Sequence, residues 1–380
     1  MNIEPFSLER FFGKHEFSAE ILLASSDCET LSMAELVGMA DAETRRMWDG
    51  LRLGYTETLG HPALREAVAG LYEEMNQENI LVVVPEEGIF LLMHALLAPG
   101  DHVVCTFPGY QSLYQVARSM GCDVSLWTPD EERGWEFSVQ DLDAMLRDDT
   151  RLVVVNFPHN PTGFLPAREA FDALVECVRR KGAYLLSDEM YRFLEIDSED
   201  RLPAACDRYS RAITLSGLSK SFGLPGLRIG WLAAQDPEVL LRVSRLKDYT
   251  TICSSAPSEI LALTALRCRD RILPMQRSRV QQNLRVLDAF FREHSAWFRW
   301  NRPRSGSVCF PRMHAVRDTF SFCETLVQET GIMLAPSRMF HYGDRHVRFG
   351  FGRDSLSEGI DRLAAYLKGG DAGKKTYVSQ

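Results

Sequence analysis

The stretch that decides the fold is Ser216-Gly-Leu-Ser-Lys220-Ser-Phe-Gly-Leu-Pro-Gly-Leu-Arg228-Ile-Gly-Trp231. Apolar runs on both sides of Lys220, at 212–216 and 229–233, are typical of buried strands. Small residues around Lys220 would let its ammonium approach a bound ligand, and a confined lysine can have its pKa lowered until it becomes nucleophilic. The alternative is a solvated turn, but an exposed turn does not need strand sequence on both sides. We therefore predict that Lys220 lies in a functional site.

Outward from this segment, short apolar runs alternate with helical stretches. Apolar runs without polar alternation indicate strands that are covered on both faces. Alternating strands and helices predict a mostly parallel sheet, with ligands at the carboxyl ends of its strands. The predicted strands are 80–84, 102–106, 123–127, 152–157, 184–187, 212–216 and 229–233, and the predicted helices are 88–97, 111–120, 168–180 and 237–246.

The flanking regions predict a second, smaller domain. Residues 31–49 have loosely helical spacing, 62–75 read as a helix with Pro62 in its first turn, and 258–293 as one long helical region. Strands at 308–311 and 346–350 and helices at 321–330 and 355–367 would form an α+β piece. We predict an N-terminal segment (1–50) that contributes to the small domain and the substrate pocket, a large domain (51–285), a small domain (286–368) and a disordered tail (369–380).

The composition of the chain argues against several classes of partner and location. The chain has 380 residues, 45% hydrophobic and 25% charged, with a net charge of −9. Nucleic acid and anionic membrane both demand a basic footprint, so neither is an expected partner. Nine scattered cysteines without a CxxC pair predict reduced thiols, and no apolar run approaches the roughly 20 residues needed to span a bilayer. The N-terminus lacks the layout of a signal peptide. We predict a cytoplasmic protein without a metal ion.

Five further motifs, in order along the chain, resemble the class I and II aminotransferases, which are fold type I enzymes dependent on pyridoxal 5′-phosphate. Together with the Lys220 segment they cover about residues 50 to 368. Asp188 follows Asn160 by 28 positions, and Arg228 follows Lys220 by eight. The motifs are Gly54-Tyr55 through Leu64-Arg65, Phe107-Pro-Gly-Tyr110, Asn156-Phe-Pro-His-Asn160-Pro-Thr-Gly163, Ser187-Asp188-Glu-Met-Tyr191 and His346-Val-Arg348-Phe-Gly-Phe351.

The resemblance implies a large α/β domain around a mostly parallel mixed sheet, with a smaller α+β domain. It also implies transamination of an amino acid, through a Schiff base on Lys220 and removal of the Cα proton. The non-enzymatic alternative is a regulator, because some proteins of this fold are regulators fused to a DNA-binding domain. The sequence shows no helix-turn-helix extension and no basic arm, which argues against this alternative.

The resemblance assigns cofactor contacts residue by residue. Asp188 would keep the pyridine nitrogen protonated, so that the ring accepts the electrons of the Cα–H bond. Asn160 and Tyr191 would hydrogen-bond the ring 3-oxygen, and Tyr191 is also a predicted catalytic residue. Tyr110 would stack on the ring. The alternative for Asp188 is a cap at a strand end, and the alternative for Tyr110 is an ordinary core tyrosine. Arg228 would bind the phosphate bidentately, with Ser219 adding a hydroxyl.

Two further contacts are implied. Arg348, with Asn160 beside it, would bind the α-carboxylate of the substrate. Tyr55 would reach the phosphate of the neighbouring subunit, which implies a homodimer with shared active sites. Lys220, once released, would move the proton between Cα and the cofactor.

Three departures from the family pattern concern the phosphate and the substrate. Val84-Pro-Glu86-Glu87-Gly88 replaces a loop of small residues, so the amides of Glu86 and Glu87 must form any phosphate cradle at a helix N-terminus. Gly217 replaces a serine that is frequent in the family.

The third departure is Ala24-Ser-Ser-Asp27-Cys-Glu29-Thr30, in the region that borders the substrate side chain in the family. Asp27 and Glu29, with Glu9 upstream, would favour a cationic substrate such as arginine; a helix N-cap followed by solvated acids is the alternative. Ser-Ser-Asp also resembles a side branch of the family that cyclises hydroxylated arginine by eliminating a leaving group. Transamination and this cyclisation remain the two predicted reactions.

Overall fold

The computed structural model describes residues 2–369. The predicted disordered tail, 369–380, lies outside these residues except for Gly369, which caps the last helix. None of the helices within 2–369 combines the length and the apolar character that crossing a bilayer requires.

A seven-stranded mixed sheet forms the centre of the molecule, in the order β2-β8-β7-β6-β5-β3-β4. Only β8 runs against its neighbours, so the other six strands share one direction. All seven predicted strands belong to this sheet. The strands of the chain are β1 (Ile21–Leu22), β2 (Ile80–Val83), β3 (His102–Thr106), β4 (Asp123–Trp127), β5 (Thr150–Asn156), β6 (Tyr184–Asp188), β7 (Ala212–Gly217), β8 (Gly230–Ala234), β9 (Phe298–Arg299), β10 (Val308–Cys309), β11 (Arg312–Met313), β12 (Ile332–Met333), β13 (Ala335–Pro336) and β14 (Val347–Gly350).

Helices cover both faces of the sheet, which is why its strands are apolar throughout. Val103 and Leu81 pack with side chains of the helices on one face, and Val104 and Val153 with those on the other. The helices are α1 (Ser7–His15), α2 (Met33–Gly38), α3 (Ala42–Asp49), α4 (Pro62–Ala69), α5 (Pro85–Leu96), α6 (Ser112–Ser119), α7 (Val139–Met145), α8 (Arg168–Lys181), α9 (Ala205–Arg208), α10 (Pro237–Lys247), α11 (Ala256–Arg267), α12 (Arg269–Glu293), α13 (Thr319–Thr330) and α14 (Leu356–Lys368).

Several predicted helix boundaries were wrong. The helical stretch 31–49 is two helices, because Asp41 caps a new helix by accepting hydrogen bonds from the amides of Glu43 and Thr44. Helix 62–75 stops at Ala69, and region 258–293 breaks at Cys268 into α11 and α12. Helix α5 begins three residues earlier than predicted, with Pro85 in its first position. Helix α1 was not predicted.

The C-terminal α+β region packs against the N-terminal segment. Strand β1 pairs in parallel with β12, and β10, β14 and β13 form a small antiparallel sheet. The amide of Gly350 donates to the Leu23 carbonyl at 2.6 Å, and a methyl group on Gly350 would overlap the Ser25 carbonyl oxygen. The N-terminal segment and the C-terminal region therefore pack together. The predicted domain boundaries at 51–285 and 286–368 remain predictions.

Candidate active site

A cavity of about 570 Å³ lies at the carboxyl edge of the sheet, where parallel α/β sheets bind ligands. Its floor is formed by residues at or just after the ends of strands β5, β6 and β7. Its roof is formed by α1 and by residues 25–27. The floor residues are Asn156, Asn160, Asp188, Met190, Tyr191, Leu215, Ser219 and Lys220, and the roof residues are Phe6, Leu8, Glu9, Arg10, Phe12, Glu16, Ser25, Ser26 and Asp27.

Lys220 follows β7 and reaches the centre of the cavity. Its ammonium donates to the Ser26 hydroxyl at 2.8 Å, so floor and roof meet at this bond. Burial lowers the pKa of Lys220, with Asp27 opposing that shift. Gly217 allows β7 to pack closely against β8, since a Cβ at Gly217 would lie 3.0 Å from the Cα of Gly230 on β8. A lysine with a lowered pKa is suited to nucleophilic chemistry.

Asp188 ends β6 and is almost fully buried, with 5% of its surface exposed. One carboxyl oxygen accepts from the amide of Met190 at 3.1 Å. Burial raises the pKa of Asp188 to about 7, and Lys220 lowers it only in part. A protonated ring nitrogen against this carboxyl would supply the missing countercharge.

Three buried polar groups of this cavity, the Ser25 hydroxyl among them, have no hydrogen-bond partner within residues 2–369, and two of the three belong to predicted site residues. The Tyr191 hydroxyl is one. Burial raises its pKa, and the nearby Ser26 side chain opposes that shift, although the two hydroxyls do not form a hydrogen bond. The Nε of Arg348 is the other. The remaining Arg348 nitrogens donate to Asn160 Oδ1 at 3.2 Å and to the Ala24 carbonyl at 2.8 Å. Unpaired buried groups are costly, so both fit a site that binds a polar ligand.

The expected phosphate end contains a helix N-terminus and an arginine. Pro85 is the first residue of α5, which leaves the amides of Glu86 and Glu87 outside the helix ladder. Arg228 and Ser219 line the same cavity, and Arg228 also donates to the Pro225 carbonyl at 3.0 Å.

The side chains of Glu86 and Glu87 point to different places. The Glu86 carboxyl lines the cavity, and burial raises its pKa to about 7, so it is partly neutral near physiological pH. The Glu87 carboxylate lies outside this cavity and accepts from the hydroxyls of Thr250 and Thr251. A cofactor contact from Glu87 can therefore involve only its amide.

Tyr110 connects the cavity wall to the roof. Its hydroxyl donates to Glu9 Oε1 at 3.1 Å, and its ring lies 4.8 Å from the ring of Phe6. Glu9 lines the cavity and shares a hydrogen bond with a side chain that is expected to stack on the cofactor.

The acids of the predicted pocket lie in different places. Asp27 lines the cavity, but its carboxylate forms a two-pronged ion pair with Arg353, at 2.9 to 3.2 Å. Glu29 lies outside the cavity, with one carboxylate oxygen accepting from the Asp354 amide at 3.0 Å, so its position does not support the predicted contact with a substrate. The backbone is irregular here, so residues two apart do not share a face.

Sequence reasoning assigned no role to most of the roof residues, and two of these, Ser26 and Glu16, carry polar groups that bear on the site. Ser26, the partner of Lys220, lies in the segment that was singled out but was not assigned a role. Glu16 lies in the cavity, seven positions after Glu9 and thus on the same side of α1. The seven-residue spacing of these two acids was the available signal, once a helix at 7–15 is recognised.

Tyr55 does not line the cavity of its own chain. It is 90% exposed, in a loop held by Glu259, which accepts from the Thr56 hydroxyl at 3.1 Å and the His61 amide at 2.9 Å. This position is compatible with a role in a neighbouring subunit.

A large α/β domain whose strand ends carry a buried lysine, aspartate and tyrosine defines a fold type I enzyme dependent on pyridoxal 5′-phosphate. The family model for aminotransferase class I and II matches residues 19–367, and the chain belongs to this family.

Similar proteins include both transaminases and cyclases. The chain is 30% identical over 365 residues to capreomycidine synthase of Streptomyces vinaceus, covering 95% of this chain and 93% of that one. A PLP-dependent aminotransferase from Streptococcus suis 89-1591 has a TM-score of 0.91 and 33% identity, covering 98% and 99% of the two chains. The PLP-dependent cyclase OrfR has a TM-score of 0.89 and 28% identity, covering 97% and 98%.

The protein is therefore an aminotransferase-family enzyme that uses pyridoxal 5′-phosphate and removes the Cα proton of an amino acid. The cavity fits this cofactor, because it contains a free tyrosine hydroxyl, a buried carboxyl without a full countercharge and a confined lysine. The bound cofactor would supply an acceptor for the electrons of the Cα–H bond. The residues of this chain that would hold it are Lys220, Asp188, Asn160, Tyr191, Tyr110, Ser219 and Arg228, with the amides of Glu86 and Glu87.

Proposed function

We propose that this enzyme transaminates a cationic amino acid of the arginine type. The observation that carries the proposal is that Glu9, Glu16 and Asp27 line the same cavity as Arg348. Arg353 pairs with Asp27, whereas Glu9 and Glu16 form no ion pair with a described residue, so both remain available to a substrate cation. An acidic side chain would meet repulsion here.

In this proposal the two ends of the cavity orient the substrate. Arg348 binds the α-carboxylate, because its guanidinium is buried and its Nε lacks a partner. Lys220 accepts the Cα proton and returns it to the cofactor, because burial lowers the pKa of this lysine toward the range where proton transfer is efficient. Asp188 keeps the ring nitrogen protonated.

Cyclisation of a hydroxylated arginine-like substrate is the second candidate. The similarity to capreomycidine synthase and to the cyclase OrfR supports it. Elimination needs a base for a Cβ proton and an acid for the leaving hydroxyl, beyond what transamination needs. Glu86, whose pKa is about 7, and the hydrogen-bonded pair of Tyr110 and Glu9 are protonatable groups in the cavity that could serve this second transfer.

A symmetric homodimer with shared sites belongs to the same proposal. Leu53, Tyr55 and Tyr249 are 88%, 90% and 91% exposed, which is unusual for large apolar and aromatic side chains. We place Tyr55 at the phosphate of the partner subunit. The cysteines within residues 2–369 are all free, which supports a cytoplasmic location.

Incubating the holoenzyme separately with L-arginine, γ-hydroxyarginine, L-aspartate and L-leucine tests the proposal. We expect L-arginine to convert the cofactor to its pyridoxamine form and to give an oxo acid, with kcat/KM at least about 10-fold above leucine and aspartate. A product of γ-hydroxyarginine that has lost one water and closed a ring, without pyridoxamine, would establish the second candidate instead. Equal turnover of leucine and arginine would contradict the cationic substrate.

A further inference from the structure

The three acidic residues of the roof differ in what already binds them. Asp27 is occupied: Nε and Nη2 of Arg353 donate to its carboxylate at 2.9 to 3.2 Å. This is the two-pronged geometry that a substrate guanidinium would need. A substrate could use Asp27 only by displacing Arg353, and this exchange would gain no new ion pair.

Glu9 is also engaged, although less strongly. It accepts the Tyr110 hydroxyl at 3.1 Å, and it lies on an exposed part of α1. Water competes for an exposed carboxylate, so an ion pair at Glu9 would contribute little.

Glu16 is the third roof carboxylate, and its side chain has no hydrogen bond or ion pair with any described residue. It is half-buried and faces the cavity. Burial raises the pKa of Glu16, and the neighbouring charge of Asp27 raises it further. A cation that entered the cavity would relieve both effects, and would gain a partner shielded from water.

The same cavity shows independently that a polar ligand belongs there. The Tyr191 hydroxyl and the Nε of Arg348 are buried and lack partners. Arg348 also lies between the rings of Phe12 and Phe340, at 5.7 and 5.2 Å, so it cannot turn away from the cavity without losing these contacts. Phe12 and Glu16 are four residues apart at the end of α1, so Glu16 lies one helical turn from the ring that contacts Arg348.

We infer that Glu16 is the specificity-determining residue of this enzyme, and that it receives the distal guanidinium or ammonium of the substrate. Arg353 is a positioning residue, which occupies Asp27 and so directs the incoming cation to Glu16. This inference rests on the proposed preference for a cationic amino acid. It assigns that preference to one side chain.

The test measures dissociation constants of the holoenzyme for L-arginine and L-leucine from the change in cofactor absorbance. We expect Glu16→Gln to weaken arginine binding by about 10-fold, the usual loss for a charge-assisted hydrogen bond, and to leave leucine binding within about 2-fold. Glu29→Gln, an acid outside the cavity, is the matched control and should change neither constant.

A charge reversal provides a second readout. Glu16→Lys should abolish the preference for arginine and bind L-aspartate more tightly than the wild type does, at an unchanged melting temperature. If the wild type prefers arginine but Glu16→Gln and Glu16→Lys leave that preference intact, Glu16 is not the receptor, although the proposed function stands. If the wild type shows no preference for arginine over leucine, the proposed function itself fails.

Discussion

The floor and the roof of the cavity are built in different ways. The floor residues Asp188, Asn160 and Tyr191 are 5%, 7% and 2% exposed, and lie where buried strands end. The roof acids Glu9 and Glu16 lie in and directly after one short helix, α1, which is attached by side-chain contacts such as Phe11 against Phe320 and His15 with Glu324. Sheet register positions the floor, whereas local packing positions the roof. The residues expected to carry the reaction are thus fixed by the sheet. The residues expected to select the substrate lie on a segment whose sequence can vary with little cost to the fold.

The largest expected effect is at the centre of the floor. Lys220→Ala should lower kcat/KM by at least about 1,000-fold, because it removes the group that moves the proton. Borohydride reduction of the wild type followed by peptide mass mapping should find the cofactor on Lys220. Lys181→Ala, at a surface ion pair with Asp148, is the control and should remain active. A cofactor tag on another lysine would contradict the assignment.

The effect of Asp188→Asn on the free energy of unfolding should depend on the cofactor. The variant should be more stable than the wild type without the cofactor and less stable with it. Burial raises the pKa of Asp188 from 3.8 to about 7 in the cofactor-free protein, so the folded state binds more protons than the unfolded state between these values. Stability of the cofactor-free wild type therefore falls as pH rises from about 4 to 7, by up to roughly 1.4 kcal/mol per pH unit from this group.

Urea unfolding at pH 5 and pH 8 measures this prediction. Without cofactor, Asp188→Asn should be more stable than the wild type, and the difference should widen at pH 8. With cofactor the order should reverse, and kcat should drop on the order of 100-fold, because the ring nitrogen loses its anionic partner. A variant less stable than the wild type at pH 8 without cofactor would show that the Asp188 carboxyl is already paired.

The smallest of these effects should come from Tyr55, which belongs to neither region of its own chain. Tyr55→Phe should weaken cofactor binding by about 10-fold, as expected for one hydrogen bond to a charged group. Mixed dimers of Tyr55→Phe and Lys220→Ala chains should regain one site with wild-type affinity. Tyr249→Phe, which changes another highly exposed tyrosine, is the control. Failure of the mixed dimers to regain affinity would place Tyr55 in its own subunit's site.

The sequence predicted the floor better than the roof for physical reasons. Uninterrupted apolar runs are distinctive, so all seven strands were found, and residues such as Asp188 could be placed at strand ends. Helix α1 contains Gly13 and is only nine residues long, so it depends on tertiary contacts that the sequence does not display. The orientation of Asp27 toward Arg353 and of Glu29 toward Asp354 likewise depends on the C-terminal region, more than 320 residues away.

The contact between Gly350 and Ser25 also bears on how the protein is made. The segment around Ser25 leaves the ribosome before the sheet does, but the strand it packs against is synthesised about 325 residues later, which takes roughly 20–60 s at cellular rates of translation. The sheet can assemble in the meantime, because all its strands precede residue 235. The roof cannot be anchored until β14 emerges, so the nascent chain should stay without a closed active site until β14 has left the ribosome.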